Sequence, residues 1–199
     1  MNPPLKPILE CILLVSDSAV EFDRLASLFP ETDPAEIRKA LEALKADYDE
    51  RQAGVCLVQV AGGYQIRTRP EYAEWIQRFL KPRPQRLSAA AMETLAIVAY
   101  RQPIVRSEIE FIRGVDCGAV LRQLLERRLI RIAGRKPIAG RPLIYATGKR
   151  FLEVFGLNDI RDLPRLKEIE SGAATNPDAE LERIRSMVTE TGVDGKCLT

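Results

Sequence analysis

Residues able to do chemistry are few in this chain and poorly arranged for it. There is no histidine, so the commonest general base, the commonest metal ligand and the physiological-pH switch are missing together. The four cysteines, Cys11, Cys56, Cys117 and Cys197, are far apart and form no Cys-x-x-Cys pair. The first three lie inside apolar patterns, so they read as reduced, buried structural thiols and not as metal ligands or disulfides. Glu93, Glu108, Glu110 and Glu126 fall on faces expected to be solvated, which makes a poor general acid and base pair. The glycine-containing run from Gly134 to Arg141 lacks Walker spacing and does not join a strand to a helix, so it makes no phosphate cradle. We expect no cofactor, no metal and no enzymatic activity.

What the sequence offers instead is an uneven charge. The net charge of the 199-residue chain is only +2, yet residues 81–150 carry 15 basic and 5 acidic side chains, while residues 1–80 carry 9 and 13 and residues 151–199 carry 6 and 10. An anionic partner for the middle segment is therefore expected. No run approaches the roughly 18 apolar residues of a membrane span, and Met1 to Lys6 lacks the layout of a signal peptide, so a cytoplasmic location with no membrane partner is the default.

The elements that must position these charges are legible in the spacing. Leu5, Ile8, Leu9, Ile12, Leu13 and Val15 recur at helical intervals, Phe22 to Phe29 forms a second short helix closed by Pro30, and Asp33-Pro34 opens a third with Ile37, Leu41, Leu44 and Tyr48 on one face. The period then falls to two in Val55–Val60 and Tyr64–Thr68 around Ala61-Gly62-Gly63, a hairpin signal. A helix over 70–80 with an aromatic-rich face of Tyr72, Trp75, Ile76, Phe79 and Leu80 closes this module. Three helices and a hairpin wing is a winged-helix layout.

The order then repeats. Residues 81–87, with two prolines and three positive charges, read as a stiff linker. Ser88 caps a helix facing Met92, Leu95, Ala96, Val98 and Ala99 inward, a second helix covers Ser107 to Ile112 and stops at Gly114, and a third runs from Cys117 to about Arg128. Strands at 129–133 and 143–147 flank a basic loop over 134–142, and a helix from Lys149 to Phe155 ends at Gly156. An offset of 83 or 84 residues lays Val15 on Val98, Leu25 on Ile109, Leu28 on Ile112, Ile37 on Val120 and Leu41 on Leu124, which suggests an internal duplication. The expected class is α+β, two tandem winged-helix domains over 1–80 and 88–166. A polar tail over 167–199 is expected to be flexible.

The run Met92-Glu93-Thr94-Leu95-Ala96-Ile97-Val98-Ala99-Tyr100-Arg101-Gln102-Pro103-Ile104, then Ile112-Arg113-Gly114-Val115, resembles the bacterial segregation and condensation protein B family. The resemblance continues through Leu121–Ile130, Gly134-Arg135-Lys136, Gly140–Tyr145, Phe151–Leu157 and Asp162-Leu163-Pro164. It departs at Arg128, where a glycine is expected before the Leu-Ile strand, and at Gly148, where a second threonine is usual. The resemblance implies a non-enzymatic subunit that homodimerises through its N-terminal domain and binds a kleisin, and through it an SMC ATPase, in chromosome condensation and partition during the cell cycle and cell division. It implies a place at the nucleoid.

These readings nominate two sets of residues. A dimer interface is expected to draw on Leu5, Ile8, Leu9, Ile12, Trp75 and Phe79, because the apolar stripe of the first helix is wider than one face. The kleisin, or nucleic acid through weak non-specific contacts, is expected to meet Arg101, Arg106, Arg113, Arg122, Arg135, Lys136 and Arg141. Arg127 and Arg128 are further candidates for phosphate contact. Base reading has little to draw on, since the third helix begins Cys117-Gly118-Ala119 and offers only Arg122, Gln123 and Glu126 on its polar face. The alternative function is a winged-helix transcription regulator, which needs an exposed recognition helix in each half of a dimer.

Overall fold

The computed structural model describes residues 4–81 and 86–164. The expected linker over 81–87 falls mostly outside the described residues, and the expected tail over 167–199 falls wholly outside them. The chain divides into two compact units, the described residues 4–81 belonging to the first and 86–164 to the second.

The first unit runs α1 (Leu5–Leu14), β1 (Val20–Glu21), α2 (Phe22–Ser27), α3 (Pro34–Glu50), β2 (Val55–Val60), β3 (Gly63–Thr68), a 3₁₀ turn (Pro70–Tyr72) and α4 (Ala73–Leu80). Asp33 starts α3 as expected: its carboxylate accepts from the Ala35 amide at 2.8 Å, with Pro34 at the first helical position. The hairpin between β2 and β3 turns through Ala61 and Gly62, both at positive φ (52° and 73°), the geometry that matches the twist of the flanking strands. Leu9, Leu13, Leu25, Ile37, Leu41, Leu44, Tyr48 and Leu57 form the core. Arg69 ties the end of α3 to the sheet, donating to the Ala53 and Tyr48 carbonyls at 2.8 and 3.1 Å and pairing with Asp49 at 2.6 Å.

The second unit repeats the order: α5 (Ala89–Arg101), β4 (Ile104–Val105), α6 (Arg106–Arg113), α7 (Gly118–Glu126), β5 (Ile130–Arg135), β6 (Leu143–Thr147), α8 (Lys149–Phe155) and a 3₁₀ turn (Ile160–Asp162). Ser88 caps α5 through the Ala91 amide at 3.2 Å, and Gly114 and Gly156 end α6 and α8 in the left-handed conformation. Its core is Ala91, Leu95, Val98, Ile109, Leu121, Leu124, Ile130, Tyr145 and Phe151. The helices and antiparallel sheets are those of two winged-helix modules.

The structure corrects the sequence-based expectations at several places. Each sheet has three strands, ordered β1-β3-β2 and β4-β6-β5, not two. The missed strands, β1 and β4, are two residues long and too short to show a period. Each fills the gap between two helices, pairing Val20 with Tyr64 and Ile104 with Tyr145. The strand β5 extends to Arg135 through a bulge between Ile132 and Gly134. Val15 lies past the end of α1 and is 76% exposed, whereas Val98 is buried, so the repeat offset does not hold in the first helices. Leu28 and Ile112 do correspond, but as exposed residues and not as core. Ala96 is exposed on α5. Cys11 is exposed as well, against the expected burial, while Cys117 is buried.

Candidate interaction surfaces

The short helix α4 presents an apolar face to solvent. Trp75 is 65% and Phe79 86% exposed, flanked by exposed Tyr72 and Leu80. The sequence makes this inevitable: large apolar side chains at 72, 75, 76, 79 and 80 exceed what one short helix can turn toward a small core, and only Ile76 is partly covered. The indole is nonetheless held in place. The Arg78 guanidinium lies 5.2 Å from its ring centre and pairs with Glu74 at 2.6 Å.

The expected contribution of α1 to the same interface is corrected at Leu9, which is 0% exposed in the core of its own unit and has no surface to offer another chain. Leu5 and Ile12 pack on that core from its margin, and Ile8 is half-buried. The width of the α1 stripe therefore serves mainly its own unit. Leu14 and Val15, at the end of the helix, are the exposed members.

In the second unit the expected cations divide into two groups. Arg106 bridges Glu110 and Asp116, and its guanidinium lies against Gly118 where α7 begins. The Arg106 hydrogen bond, and then the Cys117 amide, hold the Glu110 carboxyl below its ordinary pKa. Arg113 keeps only 9% of its side chain exposed and reaches Glu93 at 3.4 Å, with its buried Nε left without a hydrogen-bond partner among the described residues. Lys136 pairs with Glu108 at 2.9 Å and depresses that carboxyl, aided by the Val105 amide. These three cations fasten α5, α6, α7 and the wing to one another. Arg106, Arg113 and Lys136, nominated for a partner, each already pair with a carboxylate of their own unit, because α5, α6 and the turn after it place acidic residues within reach.

The remaining cations are different. Arg101, Arg122, Arg128, Arg131 and Arg141 are exposed, and their guanidinium groups have no ion pair or hydrogen bond among the described residues. Arg135 is exposed and donates to the Arg141 carbonyl at 3.3 Å across the wing. Sequence reasoning missed Arg131, a surface position whose type alone marks it. Burial pushes the Cys117 thiol above its ordinary pKa, with Glu110 adding to the shift, which makes it a poor nucleophile. No group of three or more acidic or cysteine side chains is arranged to hold a metal among the described residues. No helix among them is long and apolar enough to cross a membrane.

The fold and these surfaces define a class: a tandem winged-helix protein with an apolar face on one module and a basic one on the other. Residues 7–166 match the family described as segregation and condensation complex subunit ScpB, and the chain belongs to that family. It is 49% identical over 164 residues to segregation and condensation protein B of Syntrophotalea carbinolica, covering 82% of this chain and 83% of that one. Among solved structures, ScpB from Mycobacterium tuberculosis is 36% identical over 77% of this chain and 95% of its own, with a TM-score of 0.37. A dimer of an ScpB N-terminal domain complexed with ScpA peptide is 25% identical over 38% of this chain and 94% of its own, with a TM-score of 0.36.

Proposed function

We propose that this chain works without catalysis, as a homodimeric accessory subunit that grips the kleisin of an SMC complex at the nucleoid. The domain spanning 1–80 would dimerise, 81–87 would link the two modules, and 88–166 would meet the kleisin and, through it, act on the SMC ATPase. Membership of the segregation and condensation family supports the assignment. A chain without histidine has little with which to do acid–base chemistry at neutral pH.

The observation that carries the dimer is the exposed Trp75 and Phe79 face of α4. Burying each aromatic against a second copy is worth about 2–4 kcal/mol at roughly 25 cal/mol per Å². Light scattering after size-exclusion chromatography tests this directly. The wild-type chain is expected to elute as a dimer and to carry the central segment of its kleisin with it. Phe79→Asp is expected to weaken dimerisation at least about thirtyfold, the equivalent of about 2 kcal/mol, while leaving the fold intact. A monomeric wild type, or a wild type that leaves the kleisin behind, refutes the reading.

A further inference from the structure

We propose that the wing of the second unit, together with α7, is a sequence-independent binding surface for the phosphate backbone of duplex nucleic acid, separate from the kleisin contact. The two units supply their own control. From the third helix through the second wing strand, residues 118–147 carry seven basic and one acidic side chain, whereas the matching stretch of the first unit, residues 34–68, carries five of each. The same fold is built with and without the surplus, so its architecture does not demand these cations.

Internal ion pairs do not absorb them either. Of the five carboxylates between residues 81 and 150, Glu93, Glu108, Glu110 and Asp116 are already engaged by Arg113, Lys136 and Arg106. Arg122 on α7, Arg128 at its end, and Arg131 and Arg141 on the wing remain exposed with unpartnered guanidinium groups among the described residues. Twelve of the fifteen cations in 81–150 are arginine. The planar five-donor fork of arginine suits bidentate contact with phosphate oxygens.

The bulge in β5 favours a nucleic acid over an acidic protein segment. Ile132 pairs with Tyr145 and Gly134 with Ile144, so the alternation of side chains slips by one residue between them. Arg131 consequently shares a face of the ribbon with Ala146, while Arg135 shares the opposite face with Leu143. A ribbon cationic on both faces matches a groove with a phosphate wall on either side, and a two-stranded ribbon is an element the major groove admits. An acidic segment docking on one face would use half of this charge. Exposed apolar residues of the kind a protein partner needs as anchors cluster elsewhere, at Phe111, Ile112 and Val115 on α6 and the turn after it. The wing has only Ile132 and Ile138, one on the strand and one in the loop.

The test is an anisotropy titration of a labelled mixed-sequence duplex with the full chain at several salt concentrations. Each phosphate contact contributes about −0.9 to the slope of log affinity against log salt. The triple variant R122Q/R131Q/R141Q is expected to flatten the slope by about 2.7, three such contacts, with an unchanged melting curve, since none of the three side chains has a partner among the described residues. K45Q, an exposed cation on α3 of the first unit, is expected to leave the slope alone, and co-elution with the kleisin fragment is expected to survive the triple change. Absence of salt-dependent binding by the wild type, an unaltered slope in the triple variant, or equal flattening by K45Q overturns the proposal. Loss of kleisin co-elution in the triple variant overturns it too, by assigning the arginines to the acidic protein.

Discussion

Gly148→Ala tests whether Arg128 and Gly148, which meet across a backbone junction of the second unit, form one coupled pair. Gly148 has φ −90° and ψ 169°, values any residue adopts, so its backbone does not call for glycine. Its surroundings do. A Cβ there would fall well inside van der Waals contact with the Arg128 carbonyl oxygen, a backbone atom that cannot swing aside. The Gly148 amide meanwhile donates to the Leu129 carbonyl at 2.9 Å, holding the two segments together. Arg128 itself sits at φ 56°, a left-handed conformation that disfavours a side chain. A glycine at 128 would adopt this conformation without strain and let the carbonyl tilt away from position 148.

The expected cost of Gly148→Ala is about 2–3 kcal/mol, from overpacking at a buried junction and strain in the Leu129 bond. For a unit of this size that lowers its melting transition by roughly 10–20 °C. Differential scanning calorimetry of the full chain reads this, with the first unit's transition as the internal reference. In a double-mutant cycle, Arg128→Gly is expected to stabilise the unit slightly when introduced alone and to recover at least about 1 kcal/mol of the alanine penalty. An alanine variant within about 0.5 kcal/mol of wild type, or strict additivity with Arg128→Gly, refutes the coupling.

Three further outcomes rest on hydrogen bonding and burial within the units. Tyr48 donates to Glu10 at 2.6 Å inside the first core, and burial, then that bond, push its phenol up to about 12. Because the folded value lies above the unfolded value near 10, this contribution is complete below pH 10 and is lost as pH rises toward 12. It is worth about 2–3 kcal/mol, so in urea melts across that window Tyr48→Phe should remove the first unit's excess alkaline loss. Leu124→Ala empties a fully buried site in the second core and should cost about 3–4 kcal/mol by denaturant unfolding, confined to the second unit. Glu108, whose carboxyl is depressed first by Lys136, helps hold the wing at any pH above its unfolded pKa and releases it as pH falls through the folded one. Amide hydrogen exchange at the wing tip should accordingly quicken in Glu108→Gln at neutral pH, and this variant should respond less to acidification than wild type.

Much of this fold was legible because its local signals agree with one another. Asp33-Pro34, Ser88, Gly114 and Gly156 mark helix ends by mechanisms that act within a few residues, and Ala61-Gly62-Gly63 specifies a tight hairpin without tertiary help. What escaped depends on contacts distant in sequence. The strands β1 and β4 exist through pairing of Val20 with Tyr64 and of Ile104 with Tyr145, partners that no local window contains. Arg113 reads as a surface cation at a helix end, yet the packing of α6 on α5 buries it beside Glu93. Leu9 and Trp75 illustrate the limit from the other side. Both are large apolar residues on short helices, and only the positions of α3 and β3 decide that the first is covered while the second is not.

Charge, unlike hydropathy, is not constrained by the fold, and the two units have used that freedom differently. Their cores are built alike, with Leu25 and Ile109, and Leu41 and Leu124, buried at matching places. Their surfaces are not. On the first unit Arg38 stacks 3.8 Å from the Phe22 ring centre and Arg51 lies over Tyr48, so these cations are drawn onto its own aromatic side chains. On the second unit Arg122, Arg128, Arg131 and Arg141 lie on α7 and the wing, where among the described residues they have neither a stacked aromatic ring nor a paired carboxylate. On the two proposals above, surface substitution alone would give one scaffold two tasks: apolar self-association on α4 of the first unit, and anion contact on α7 and the wing of the second. Exchanging the wings should then move the salt-dependent duplex binding to the first unit without altering either melting transition by more than about 1 kcal/mol. A chimera that folds but binds as wild type would show that the surplus, not its placement on the ribbon, is what matters.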